Sequence, residues 1–199
     1  MIGSGAGRIG RRRGRSDVAS RMLAVISYRR ADSQDIAGRI ADHLRHRLGE
    51  RQVFLDTGSI PAGADFRQTI QQALRRRGVL IAIVGPEWMA ARHGAPERIN
   101  DPDDPVRMEI ATALAEGLPI IPVLVNDASM PAANELPGDI KDFAYRNALT
   151  VDRSRFFHRD ADELVREIEA LRPRRSHGRI AAALAAAAVL AAAWMAVNA

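Results

Sequence analysis

Three short apolar runs constrain the fold more than any other feature of the chain. They are "LAVIS" (23–27), "VLIAIVG" (79–85) and "PIIPVLV" (119–125). Each is too short for a buried helix, too continuous for a half-exposed strand, and rich in β-branched residues, which is the pattern of a strand covered on both faces. "QVFLD" (52–56) and "ALTV" (148–151) read as two further strands, and "VLIAIVG" is by composition the most central of the five. Helical periodicity fills the gaps. Residues 33–48 place Ile36, Ile40, Leu44 and Leu48 on one stripe, with Asp32 or Ser33 as cap. Residues 65–77 turn Phe66, Ile70, Ala73 and Leu74 inward, residues 105–117 open on Pro105 and bury Ile110, Ala113 and Leu114, and residues 160–171 bury Leu164, Ile168 and Leu171. The two prolines of "PIIPVLV" predict an edge strand, or a strand that begins with them. Strands that alternate with helices predict an α/β fold, a parallel sheet with helices on both faces.

Charge divides the chain into a body and two arms. The whole carries +5; residues 1–21 carry +5 and residues 172–179 carry +4, which leaves −4 for residues 22–171. The basic character therefore lies outside the globular part, which argues against a nucleic-acid-binding domain. Residues 1–21 hold almost nothing to bury and read as a disordered arm; Met22, directly before the first strand, is an alternative start. Cysteine is absent, so disulfides and cysteine-built zinc sites are excluded. The linker "RPRRSHGR" (172–179) leads into Ile180–Val197, which has no charge and would span about 27 Å as a helix. Arginines on its near side and Trp194 at its far end predict a single membrane span with the body in the cytoplasm. Eleven of its 18 residues are alanine, so an Ala-rich helix packed on a partner is the competing reading.

A few residues stand where chemistry is done in such folds, in the crevice at the carboxyl edge of the sheet. Arg29 and Arg30 follow the first strand and suit either a pyrophosphate or a structural pairing with Asp32 or Asp56. Asp56 ends the second strand and is placed to cap backbone amides of the loop after it. Glu109 lies in the second turn of its helix, beside the buried stripe. Phosphorylation at Asp56, as in a receiver domain, is disfavoured: "YRR" replaces the acidic residues expected after the first strand, and the one lysine, Lys141, is misplaced. The histidines form no ligand set; His43 and His46 share a polar helix face and read as surface residues, and no metal is expected.

Six blocks in order, "VISYRRADS" (25–33), "VFLDTGSIPAGADF" (53–66), "VLIAIVGPEW" (79–88), "DDPVRMEIATAL" (103–114), "IPVLV" (121–125) and "FFHRDADEL" (156–164), resemble the Toll/interleukin-1 receptor (TIR) domain in its bacterial form. The resemblance covers residues 22–171 and implies a flavodoxin-like sheet of five parallel strands. It implies two activities. Some members cleave NAD+ at the nicotinamide–ribose bond through a glutamate that maps to Glu109; others are adaptors that self-associate. The resemblance places the nucleotide pocket at Val25, Arg29, Arg30, Asp32, Ser33 and Pro105, and the assembly loop at Asp56, Gly58, Ile60, Pro61 and Gly63. The chain departs from the pattern at Pro105 and Val25, where active members often carry aromatics that would stack on the substrate; Trp88 and Phe66 are the candidates to compensate.

The expectation is therefore a TIR protein anchored in the inner membrane by one C-terminal helix, cleaving NAD+ when clustered, in signalling or defence. NAD+ would be the substrate, with no other cofactor, and other TIR domains the partners. The alternative is a membrane adaptor that binds other TIR domains without catalysis.

Overall fold

The computed structural model describes residues 23–55, 78–89 and 97–171. Five strands, β1 (Ala24–Ser27), β2 (Val53–Leu55), β3 (Val79–Val84), β4 (Ile120–Leu124) and β5 (Leu149–Thr150), form one parallel sheet in the order β2-β1-β3-β4-β5. All five predicted strands are present, and β3 is central. Among the described residues, three α-helices accompany them: α1 (Arg30–Leu48), α2 (Pro105–Ala115) and α3 (Phe157–Ala170). The predicted helix at 65–77 and the stretch 180–197 lie outside the described residues, as do residues 1–22. No helix among the described residues is long and apolar enough to cross a membrane.

Two cores cover the two faces of the sheet. On one, Ala24, Ile26, Ile81, Ile83 and Val123 meet the α1 stripe Ile36, Ile40, Leu44 and Leu48 and the α3 residues Phe157, Ala161, Leu164, Val165 and Ile168. On the other, Leu23, Val25, Leu80, Ala82 and Val84 meet Val106, Ile110 and Ala113 of α2 and Leu136, Ile140 and Phe143 beyond β4. The odd–even alternation along β1 sends successive side chains to opposite cores. Leu171, predicted inward, is 39% exposed, because α3 ends at Ala170 and the next residue has left the buried stripe. His43 is not a plain surface residue. It lies between α1 and α3, 2.8 Å from Asp162 and edge-on to Phe157.

The proline-bearing strand is not at the edge. β4 lies between β3 and β5, and Pro122 is opposite Ala82 in the middle of the β3 pairing. The tolerance has a geometric cause. Val125 donates to Val84 O and Leu80 donates to Pro119 O, so odd-numbered residues of this segment bond to β3. Even-numbered ones face β5, as the bond from Val151 N to Leu124 O shows. β5 is only two residues long and pairs with Val123 and Leu124, so the missing N–H of Pro122 points where β5 has not begun.

α1 begins at Arg30, three residues before the predicted start, and neither Asp32 nor Ser33 caps it. The first turn breaks at Ser33 (φ −137°, ψ 20°). Asp32 instead reaches across the sheet edge, where its Oδ1 accepts from Glu87 N at 3.1 Å. Its carboxylate packs against Gly85 so closely that a Cβ there would overlap it. Gly85→Ala is expected to lower stability by about 1–3 kcal/mol, read from urea denaturation. Adding Asp32→Ala to that variant should restore part of the loss; no recovery would place the strain elsewhere.

Candidate functional site

The carboxyl edge of the sheet is organised by one buried ion pair. Arg29, two residues past the end of β1, is 4% exposed and grips Asp104 with both terminal guanidinium nitrogens, Nη1 to Oδ2 at 2.8 Å and Nη2 to Oδ1 at 3.2 Å. Its Nε donates to Trp88 O, and its guanidinium lies 5.8 Å from the Trp88 ring centroid. The partner is Asp104 and not the predicted Asp32; Asp56, the other predicted partner, lies outside the described residues. Asp104 also caps α2, accepting from Arg107 N at 3.0 Å, and Arg98 Nε lies 3.7 Å from it. Sequence reasoning missed Asp104. The signal was available, because an aspartate directly before a proline at the first helical position is an N-terminal cap signature.

Glu109 follows in the second turn of α2 and is 4% exposed. It belongs to the buried side of the helix with Val106, Ile110 and Ala113, so it is not a solvated charge. Pro105, at the helix start, is exposed. Val25 does not reach the sheet edge. It lies inside the α2-side core, where its β1 position pairs with Phe54 and Leu80. Trp88 is 1% exposed and stacks on Phe143 with ring centroids 5.6 Å apart, so its faces are committed to the core and not offered to a ligand.

The remaining predicted residues gather elsewhere. Arg30, Asp32 and Ser33 line an open cavity of about 290 Å³ at the start of α1, with Asn126 and Arg153 from the ends of β4 and β5. Glu109, Val25, Pro105 and Arg29 are not among its walls. The predicted pocket therefore divides in two, one part above the α2 face and one at the mouth of α1. Gly58, Ile60, Pro61, Gly63 and Phe66 lie outside the described residues. No cluster of His, Asp and Glu suited to a metal is present among the described residues.

A family model for the TIR domain matches residues 25–165. The chain belongs to the TIR domain family. Among curated proteins, the TIR chain resembles "NAD(+) hydrolase sarm1" of Drosophila melanogaster, with 28% identity over 169 residues; the match covers 83% of this chain but only 11% of that protein. Among solved structures, it resembles the TIR domains of the activated Roq1 resistosome directly recognizing the pathogen effector XopQ, with a TM-score of 0.50 and 9% identity over 74% of this chain and 99% of that one. The latter likeness shows the fold alone.

Two predictions follow from the geometry of this TIR domain. Asp104→Ala leaves the Arg29 charge buried and unpaired, and is expected to cost about 3–5 kcal/mol. The double variant Arg29→Met/Asp104→Ala should lose less in urea denaturation, since no orphaned charge remains. The second concerns two carboxylates. Burial raises the pKa of Asp32 above its usual range, against the opposing bond from Glu87 N. The hydrogen bond with His43 lowers that of Asp162. Asp32 thus favours the fold in its protonated form, a contribution lost as pH rises through its raised pKa. Asp162 favours it as the carboxylate, a contribution present above the ordinary carboxylate range and lost as pH falls through its lowered pKa. Carboxyl NMR titration should order the two with Asp32 above Asp162, and His43→Ala should move Asp162 alone upward.

Proposed function

We propose that this TIR domain cleaves the nicotinamide–ribose bond of NAD+ when its copies are clustered, with Glu109 as the carboxylate at the ribose. The observation that carries this reading is the burial of Glu109 in the second turn of α2, just behind the capped helix start at the carboxyl edge. The family membership and the likeness to a protein named as an NAD+ hydrolase support it.

The chemistry needs little more than one such group. As the C–N bond breaks, its electron pair goes to the pyridinium nitrogen, and nicotinamide leaves neutral without a general acid. Positive charge develops on the ribose, and a fixed carboxylate stabilises it more strongly in a buried site than in water. Water then bonds to the anomeric carbon and releases a proton, giving ADP-ribose and nicotinamide. Confinement of many copies raises their effective concentration. The apolar run Ile180–Val197 is proposed to supply that confinement as a single span of the inner membrane, with the body in the cytoplasm and other TIR domains as partners.

A non-catalytic adaptor is the second reading, and specific placements favour it. Val25 is in the core, Trp88 is stacked beneath Phe143, and Pro105 stands at the helix start, so these three positions offer no aromatic face to nicotinamide. The full chain in liposomes, incubated with NAD+, separates the two. Release of nicotinamide that falls at least about 100-fold in Glu109→Gln, with thermal unfolding unchanged, is the expected result. No release from a folded, clustered wild-type protein would leave the adaptor.

A further inference from the structure

We propose that the surface at the start of α3 is a membrane-contact site. It sets Arg155 and Arg159 among the headgroups of anionic lipids and Phe156 at the boundary between headgroups and acyl chains. The proposal is independent of NAD+ cleavage and of any span formed by Ile180–Val197. Arg155, Phe156 and Arg159 are also not among the walls of the cavity at the start of α1. Residues 153–159, "RSRFFHR", hold three arginines and no acid. All are exposed except Phe157, which turns into the core between α1 and α3.

Phe156 is a large apolar side chain left 38% exposed. Arg155 and Arg159 each hold their guanidinium 4.6 Å from its ring centroid. Stacking on a ring fixes a guanidinium in place, and its planar fork matches phosphate and carboxylate oxygens. Arg159 bonds Asp160 through Nε at 2.9 Å, which leaves both of its Nη groups to another anion. The nearby acids are engaged inside the loop. Asp152 Oδ1 accepts from Ser154 N at 2.5 Å, and Asp160 Oδ2 accepts from Asp152 N at 3.1 Å. Arg39 of α1 donates to Arg153 O at 2.6 Å and lies over the Phe157 ring. The aromatic–arginine cluster is thus presented on a fixed backbone. The charge elsewhere says why its partner is flat. Residues 97–142, which include α2 on the other face of the sheet, hold ten Asp or Glu against three Lys or Arg, so −7. A polyanion that wraps the body, such as a nucleic acid, meets that acidity; a bilayer meets one face only. Its negative surface attracts the start of α3 and turns the α2 face away. An exposed ring flanked by cations is also the composition that suits the membrane interface, with the ring at the acyl boundary and the charges among the headgroups.

The chain has no cysteine, so a dye attached at Ser154→Cys reports on that position alone. The full chain is mixed with vesicles of phosphatidylcholine, or of phosphatidylcholine with phosphatidylserine, and quenching by acrylamide gives the ratio of protected to exposed dye. Protection is expected on the anionic vesicles, absent on the neutral ones and relieved by salt. Arg155→Ala/Arg159→Ala should lower the ratio about 30-fold, at about fivefold for each arginine. Phe156→Ala should lower it too while leaving its salt response in place, and circular dichroism should show each variant folded. A dye at Asn134→Cys, exposed beside the α2-side core, should stay open to quencher throughout. Equal protection on both lipids, protection on neither, or protection that survives Arg155→Ala/Arg159→Ala overturns the proposal. So does equal protection at Asn134→Cys, which means burial of the whole body, and so does stronger protection by single-stranded RNA than by the anionic vesicles.

Discussion

The upper edge of this domain depends on the Arg29–Asp104 pair. Two opposite charges removed from water cost more in desolvation than a loose contact returns, and the arrangement holds because it is bidentate and further bonded. Arg29 is tied to Trp88 O, and Asp104 to the first turn of α2. The same Arg29 serves α1, since its carbonyl accepts from Asp32 N at 3.1 Å and Ser33 N at 2.9 Å. One residue after β1 thereby sets the start of the helix on one face of the sheet and, through its side chain, the start of the helix on the other. Glu109 is five residues past Asp104, so the position of the candidate catalytic carboxylate follows from where that pair locks the helix.

The division of the predicted pocket also follows from this pair. Had Arg29 paired with Asp32, both arginines after β1 would have stayed on the α1 side. Instead its side chain crosses towards Trp88 and α2, while Arg30 remains with the α1 turn. On the α2 side, Arg29, Asp104 and Glu109 are all buried. The α1 side is open and polar. A single strand end supplies both through two adjacent residues of the same type.

Much of the fold was legible in the sequence because it rests on periodicity. The stripe Ile36, Ile40, Leu44 and Leu48 and the run at β3 needed only the helical and strand repeats. The errors came where a residue's partner is distant in the chain. Asp32 and Ser33 look like caps for the helix that follows, yet Asp32 is drawn off by Glu87 N, 55 positions away. His43 looks solvated until α3 brings Asp162 to it from 119 positions away. Val25 belongs to a resemblance that places it at a pocket, but the β1 register encloses it between Phe54 and Leu80. Pro122 reads as an edge signal, yet β4 lies inside the sheet, and the shortness of β5 is what makes room for the proline. What the sequence withheld was the length of β5. For Glu109, its place beside the helix stripe was readable; its near-complete burial was not, because that depends on what the α2 face packs against.

That proline has a meaning beyond local geometry. Before β5 begins, the β5-facing side of β4 has no strand partner at Ile120 to Pro122, and an unpaired strand margin is where an extended segment can add. A segment laid there meets a pyrrolidine ring in place of the donor that it needs at Pro122. The ring, itself buried, denies this margin a backbone donor for sheet-to-sheet growth.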